Sequence, residues 1–334
     1  MLLELDSDQR LWRDTARDAA AKECPASLVR GVAEGEVDPA PLWRTYVEMG
    51  WTELAEPSEA VELGILLEEL GRATDPTPFL ATMTQFTPLA PGHPDPGLAG
   101  SAVYDGVTAA RVGAGWVLDG TARHVLDGDR ADRFAVVTPA GVFIVGSEQV
   151  SARRVSVFDP VLHIAEVTFA GVVVGHQDRV TGADPQRAYD VALTGMALTM
   201  VGACQRVLDL VLEHVKGRQQ FGVAIGSFQA VQHKAADMHI AIERARALSY
   251  FAALTIAADD PRRRLAAAMA KAAAGECQSL VFRHGVQLFG AMGFTWENDV
   301  QFALKRAKAG ELLLGGAAHH RALIAEQSLA DSRA

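Results

Sequence analysis

The chain has 334 residues and a net charge of −10, with 49% hydrophobic and 22% charged residues. That length supports two or three packed units or one large one, and the acidic balance excludes a general nucleic-acid binder, which would carry a basic surface. Three widely spaced cysteines, Cys24, Cys204 and Cys277, suggest neither a zinc site nor a disulfide framework and fit a reduced, cytoplasmic setting.

The first six residues have no basic region ahead of an apolar run and do not read as a signal peptide. Residues 6–23 place Leu11, Thr15 and Ala19 at helical spacing behind an N-cap at Asp6 or Ser7. Pro41-Leu42-Trp43 opens a second helix, since proline suits a first turn, and Gly50 closes it. Residues 59–73 predict a third, with Leu63, Leu66, Leu67 and Leu70 on one face. Pro76 and Pro78 break the pattern before a shorter helix at 79–85. The stretch 87–100, with four prolines and three glycines, reads as a linker.

Short β-like runs follow at Gly115-Trp116-Val117-Leu118, Phe134-Ala135-Val136-Val137, Val142-Phe143-Ile144-Val145 and 164–174, separated by turn residues. From 186 onward four long helical segments are expected, at 186–216, 226–258, 261–290 and 297–330, the last broken near Gly315-Gly316. Alanine-rich 265–274 has high helix propensity and allows close packing. The apolar window 191–204, interrupted by Thr194 and Thr199, is too short for a membrane span and reads as a buried helix. The whole is an α+β chain: a helical domain at 1–90, a β domain at 91–183 and a C-terminal antiparallel four-helix bundle at 184–334.

The densest chemical signal is Gly217-Arg218-Gln219-Gln220-Phe221-Gly222, continued by Ile225-Gly226-Ser227-Phe228-Gln229, at the corner between two of the long helices. Arginine offers phosphate oxygens a planar fork of donors, an amide both donates and accepts, and glycine lets backbone approach closely. A helix-end arginine beside a core phenylalanine is the bland alternative. This segment resembles the signature of the acyl-CoA dehydrogenase family, flavoproteins that desaturate CoA thioesters between the α and β carbons. A second signature of that family is matched at Gln287-Leu288-Phe289-Gly290-Ala291-Met292-Gly293-Phe294-Thr295-Trp296-Glu297. Further matches are Asp8-Gln9-Arg10, Ala21-Lys22-Glu23-Cys24-Pro25, Gly50-Trp51 and Leu67-Glu68-Glu69-Leu70-Gly71-Arg72. The likeness spans nearly the whole chain. It implies that Arg218, Phe221 and Gln229, with Gln287, Gly290 and the backbone near Ala291, contact the adenosine and pyrophosphate of an FAD held mainly by a neighbouring subunit.

The departures from the family are as informative. Its catalytic glutamate, which takes the α-proton, falls here on Leu314, before Gly315-Gly316; the site used by a minority of members falls on Ala192. Neither carries an acid. Asp190 precedes Ala192 by two residues, about 200° around a helix, and Glu311 precedes Leu314 by nearly a turn. Both are read as solvated or capping charges. The family's flavin-gripping Thr-Glu-Pro-x-x-Gly-Ser loop is missing, and Arg123-His124-Val125-Leu126 stands where its Trp-Ile-Thr turn is expected. The β domain is therefore read as shortened and Trp116 as a packing aromatic. His319-His320, about 100° apart on a helix, lack metal-pair spacing, and Arg262-Arg263-Arg264 reads as a solvated basic turn.

Retained reach and missing base together resemble the smaller, base-lacking subunits of actinobacterial α2β2 acyl-CoA dehydrogenases, whose complexes act on bulky CoA thioesters, steroid side-chain intermediates among them. The resemblance implies a catalytic partner subunit, an acyl-CoA substrate and an electron-transfer flavoprotein as acceptor, with no membrane or nucleic-acid partner. Two alternatives stay open: a homo-oligomer with its base relocated to Glu311 or Asp190, and a flavin-free scaffold that binds CoA thioesters.

Overall fold

A computed structural model describes residues 4–93 and 95–331. Its contacts divide the chain into two compact units that do not follow chain order. One comprises 1–34, 57–75 and 193–334, the other 35–56 and 76–192.

The first unit is helical. Helix α1 (Ser7–Glu23) begins with a capping box in which Asp6 accepts from the Gln9 backbone while the Gln9 side chain reaches back to Asp6. It lies on α4 (Ala60–Ala73) through Trp12, whose indole N–H donates to Glu62 O at 3.0 Å, and through a two-pronged Arg17–Glu69 pair at 3.0 and 2.7 Å. Helix α2 (Ala26–Glu34) lies outside the sequence-based expectations. Nine residues with only Val29 and Val32 turned into the core are too few for a clear periodic signal.

The long helices follow the expected segments: α7 (Pro185–Gly217), α8 (Gln229–Ala257) and α9 (Arg263–Phe289), then α10 (Val300–Leu312) and α11 (Ala317–Asp331), parted at Gly315-Gly316. Helix α7 begins in the second unit and continues in the first. By length and composition it could cross a membrane, but 83% of its most apolar window is buried, so it is a core helix. Val207 and Val211 of α7, Met238 and Ile242 of α8, Val281 of α9 and Leu304 of α10 form one apolar cluster, each side chain worth about 1.5–3 kcal/mol relative to exposure. Helix α4 meets α7 backbone to backbone, for a Cβ on Gly71 would collide with the Thr199 main chain and one on Gly202 with that of Glu68. This contact assigns residues 57–75 to the helical unit rather than to a consecutive 1–90 domain.

The second unit is built around two sheets. Strands β1 (Gly100–Val103), β4 (Arg133–Thr138) and β5 (Gly141–Gly146) form one in the order β1-β4-β5, with β1 parallel to β4. Strands β2 (Val107–Val112), β3 (Gly115–Leu126), β7 (Ile164–Val174) and β6 (Ser151–Val155) form the other in the antiparallel order β2-β3-β7-β6. Trp116, Leu118, Val167 and Phe169 of one sheet pack with Phe134, Val136, Phe143 and Val145 of the other, which bears out Trp116 as a packing residue. Helix α3 (Ala40–Glu48) belongs here because Trp43 Nε1 donates to Gly97 O at 3.2 Å and Tyr46 packs edge-on against Phe79. The expected 79–85 helix runs on to Leu89. After α5 (Phe79–Ala81) a π turn at Thr82–Phe86 leads into α6 (Thr87–Leu89), the wider turn letting the Thr87 N–H and hydroxyl both donate to Thr82 O ahead of Pro88. Strand register slips between Ala122 and Val125, leaving Arg123 and His124 exposed, His124 with φ 58°.

Candidate cofactor-binding arm and the Leu314 turn

At the end of α7 the Arg218 N–H donates to His214 O at 2.8 Å, and the chain then turns out into a hairpin of β8 (Gln219–Gln220) and β9 (Val223–Ala224), paired Gln220 to Val223. The two turn residues, Phe221 at φ 57° and Gly222 at φ 80°, both lie in the left-handed region, as a two-residue type I′ turn requires. Glycine adopts this freely, whereas phenylalanine pays about 1 kcal/mol or more. Phe221 nevertheless stands 92% exposed, its ring edge-on to Phe228 at 6.2 Å. Arg218 and Gln229, the first residue of α8, are exposed beside it.

The second signature arrives at the same place. Gln287, exposed near the end of α9, accepts a hydrogen bond from Lys234, five residues beyond Gln229 on α8. One residue before Gly290, Phe289 stacks on His214 at 4.7 Å and 23°. Gly290 caps α9 at φ 64° and ψ −140°, a conformation reserved in practice for glycine, and Ala291 follows exposed. The fold thus brings together all six residues singled out in the sequence. It adds Lys234, His214 and His284, which no spacing argument selects. The local field is positive. Burial and then Arg218 push His214 below its ordinary pKa, and burial, Lys234 and Arg283 do the same to His284 against the opposing Asp237. A donor-rich, cationic edge of this kind suits an anion.

Leu314 lies in the link between α10 and α11, half-buried and left-handed at φ 56°. Its carbonyl accepts from His320 Nε2 at 2.8 Å, so that ring nitrogen carries the proton. The fully buried Lys271 of α9 donates to Gly315 O at 2.7 Å, and burial lowers its pKa to about 8 against the pull of Glu311. Glu311 acts as a cap, as expected: its Oε1 accepts the Ala317 N–H at 3.0 Å. Its Oε2 is buried without a hydrogen-bond partner. Asp190 corrects the sequence expectation. It is 1% exposed rather than solvated, and it accepts from Gln186 Nε2 at 2.9 Å on the inward side of α7. Ala192 is fully buried. His319 and His320 meet edge-on at 5.1 Å, and Arg262 is spent on Asp260.

Residues 187–329 match the acyl-CoA dehydrogenase C-terminal domain family. Acyl-CoA dehydrogenase IpdE2 of Mycolicibacterium smegmatis is 30% identical over 93% of this chain and 96% of its own length, and IpdE2 of Mycobacterium tuberculosis is 32% identical over 92% and 93%. The chain belongs to the acyl-CoA dehydrogenase family. Members of this family are FAD-using oxidoreductases that act on CH–CH bonds. The acyl-CoA dehydrogenase fold is equally plain in solved structures. In the ChsE4–ChsE5 complex of Mycobacterium tuberculosis a chain superimposes with a TM-score of 0.87 at 23% identity, covering 98% of this chain and 99% of that one. A steroid acyl-CoA dehydrogenase, the Tcur3481–Tcur3483 G363A variant, gives 0.86 at 24%, with the same coverage.

Proposed function

We propose that this chain is the base-lacking subunit of an FAD-dependent acyl-CoA dehydrogenase, completing the cofactor site of a catalytic partner in an α2β2 assembly. The observation that carries this reading is a leucine at the proton acceptor's place, while the arm that reaches outward for a dinucleotide is intact. The residues present fit one end of FAD. The Arg218 fork and the Gln229 and Gln287 amides suit pyrophosphate oxygens, exposed Phe221 offers a flat apolar face to the adenosine, and Gly290 with Ala291 offers unobstructed backbone. Bound FAD supplies the hydride acceptor for desaturation. This chain's residues hold and neutralise the phosphates from outside, and the proton is left to a carboxylate on the partner.

One structural neighbour is a steroid acyl-CoA dehydrogenase, which favours a bulky CoA thioester of a steroid side chain, and another is a complex of two named components, which favours a two-subunit assembly. An electron-transfer flavoprotein is the fitting acceptor, and the setting is cytoplasmic. The chain purified alone is expected to be colourless and inactive, and co-purified with a longer, base-bearing relative it is expected to be yellow and active. A full flavin per chain together with thioester oxidation by the isolated polypeptide would refute the proposal. The unpartnered Oε2 of Glu311 favours one second reading, a relocated base. Glu311→Gln separates the two, because a true base costs orders of magnitude in kcat with folding intact, whereas a capping carboxylate leaves the rate of the assembly within about threefold.

A further inference from the structure

The segment from Gly290 to Trp296, exposed apart from Gly293, is held at both ends. At its start the Phe289 ring is stacked on His214. At its end the guanidinium of Arg30, on α2 and more than 260 residues away in sequence, donates to Trp296 O at 3.0 Å and Glu297 O at 3.2 Å and pairs with Asp299 at 2.6 Å. The same group lies over the Phe302 ring at 5.3 Å. Four residues on, Glu34 accepts the Trp296 indole N–H at 2.8 Å, and the Lys305 ammonium sits over that indole at 4.8 Å. Between the two anchors Met292 and Phe294 are 48% and 80% exposed. Apolar side chains left in water on a segment without fixation would collapse against the nearest surface or sample many states. Here a short 3-10 turn over Gly290–Phe294 bears them, and the carbonyls of Trp296 and Glu297 just beyond it are bonded to a helix that makes no part of either family signature, Trp296 O also accepting from Gln301 Nε2.

We propose that Arg30, seconded by Glu34, is a positioning residue for the cofactor arm: it fixes the 290–299 segment so that Gly290 and Ala291 meet the dinucleotide without paying to order the segment on binding. The inference rests on the function proposed above and names a component of the same site. The guanidinium reaches two carbonyls and a carboxylate from two separate nitrogens of a rigid planar fork, whereas the three donors of a lysine ammonium radiate from one atom. Lysine keeps the charge but makes at most part of that bridge. Ordering a loop at the moment of binding is charged to affinity, and pre-ordering it is gained back.

The test is FAD affinity of the assembly in which the chain is active, stripped of flavin and titrated with FAD by fluorescence, for wild type, Arg30→Met, Arg30→Lys and Asp299→Asn. Arg30→Met is expected to raise the Kd for FAD about tenfold and to expose the segment to proteolysis near Phe294, with Arg30→Lys and Asp299→Asn intermediate. Should Arg30→Met fail to fold, Asp299→Asn alone carries the test, since it removes the ion pair and leaves the apolar contacts. A melting temperature that falls while FAD affinity and cleavage near Phe294 stay at wild-type levels makes Arg30 merely structural and overturns the proposal. That outcome is distinct from failure of the functional reading, which would appear in the wild-type chain as flavin and activity without a partner.

Discussion

Lys271 offers a quantitative test of how the turn that carries Leu314 is held. Its ammonium is fully buried and donates to Gly315 O, and burial lowers its pKa from 10.5 to about 8. Below pH 8 the group is protonated in both folded and unfolded chains, and the fold bears the whole cost of burying the charge, about 3 kcal/mol. Above 10.5 both states are neutral and the cost is gone. Stability therefore rises between these limits as far as Lys271 is concerned, and about 2 kcal/mol of the rise falls between pH 7 and 9.5. Lys271→Met removes the charge and also a donor to the Gly315 carbonyl, at a cost of about 1–3 kcal/mol. At pH 7 the two effects nearly cancel. Urea unfolding of wild type and variant at pH 7, 8.5 and 9.5 is the assay, because other alkaline titrations cancel in the difference. The wild type is expected to gain about 2 kcal/mol on the variant across that range. Parallel curves would refute the burial argument, and with it the picture of an ammonium pinning the turn that carries Leu314.

Two further outcomes are expected. Gly71→Ala drives a methyl into the Thr199 backbone, which side-chain adjustment cannot relieve, so chemical denaturation should register a loss of about 3 kcal/mol. Phe221→Gly relieves the left-handed strain and should leave stability unchanged or raise it by up to about 1 kcal/mol. Flavin retained by the assembly on gel filtration should nonetheless fall, and unchanged flavin content would mean that the exposed ring serves something other than the cofactor.

The local pattern of residues marked the long helices, the break at Gly315-Gly316 and four of the nine strands among the described residues, β3, β4, β5 and β7, while the six candidate arm residues came from the resemblance to the family signatures. Helix and strand signals depend on neighbours a few positions apart, whereas the reading of Leu314 and Ala192 as base positions rests on the family resemblance; that neither carries an acid is plain in the sequence. Strands β2 and β6 escaped notice because their residues are mostly exposed and carry no apolar alternation, and β1, β8 and β9 because four or two residues are too short a run to carry a period. What only tertiary structure decided lies between residues far apart in the chain. It placed α4 with the long helices, sank Asp190 into the interior, set Lys234 against Gln287 and brought Arg30 to the Trp296 carbonyl. Such pairings arise when helices cross at particular distances and angles, and periodicity along one helix holds no information about which residue of another will face it.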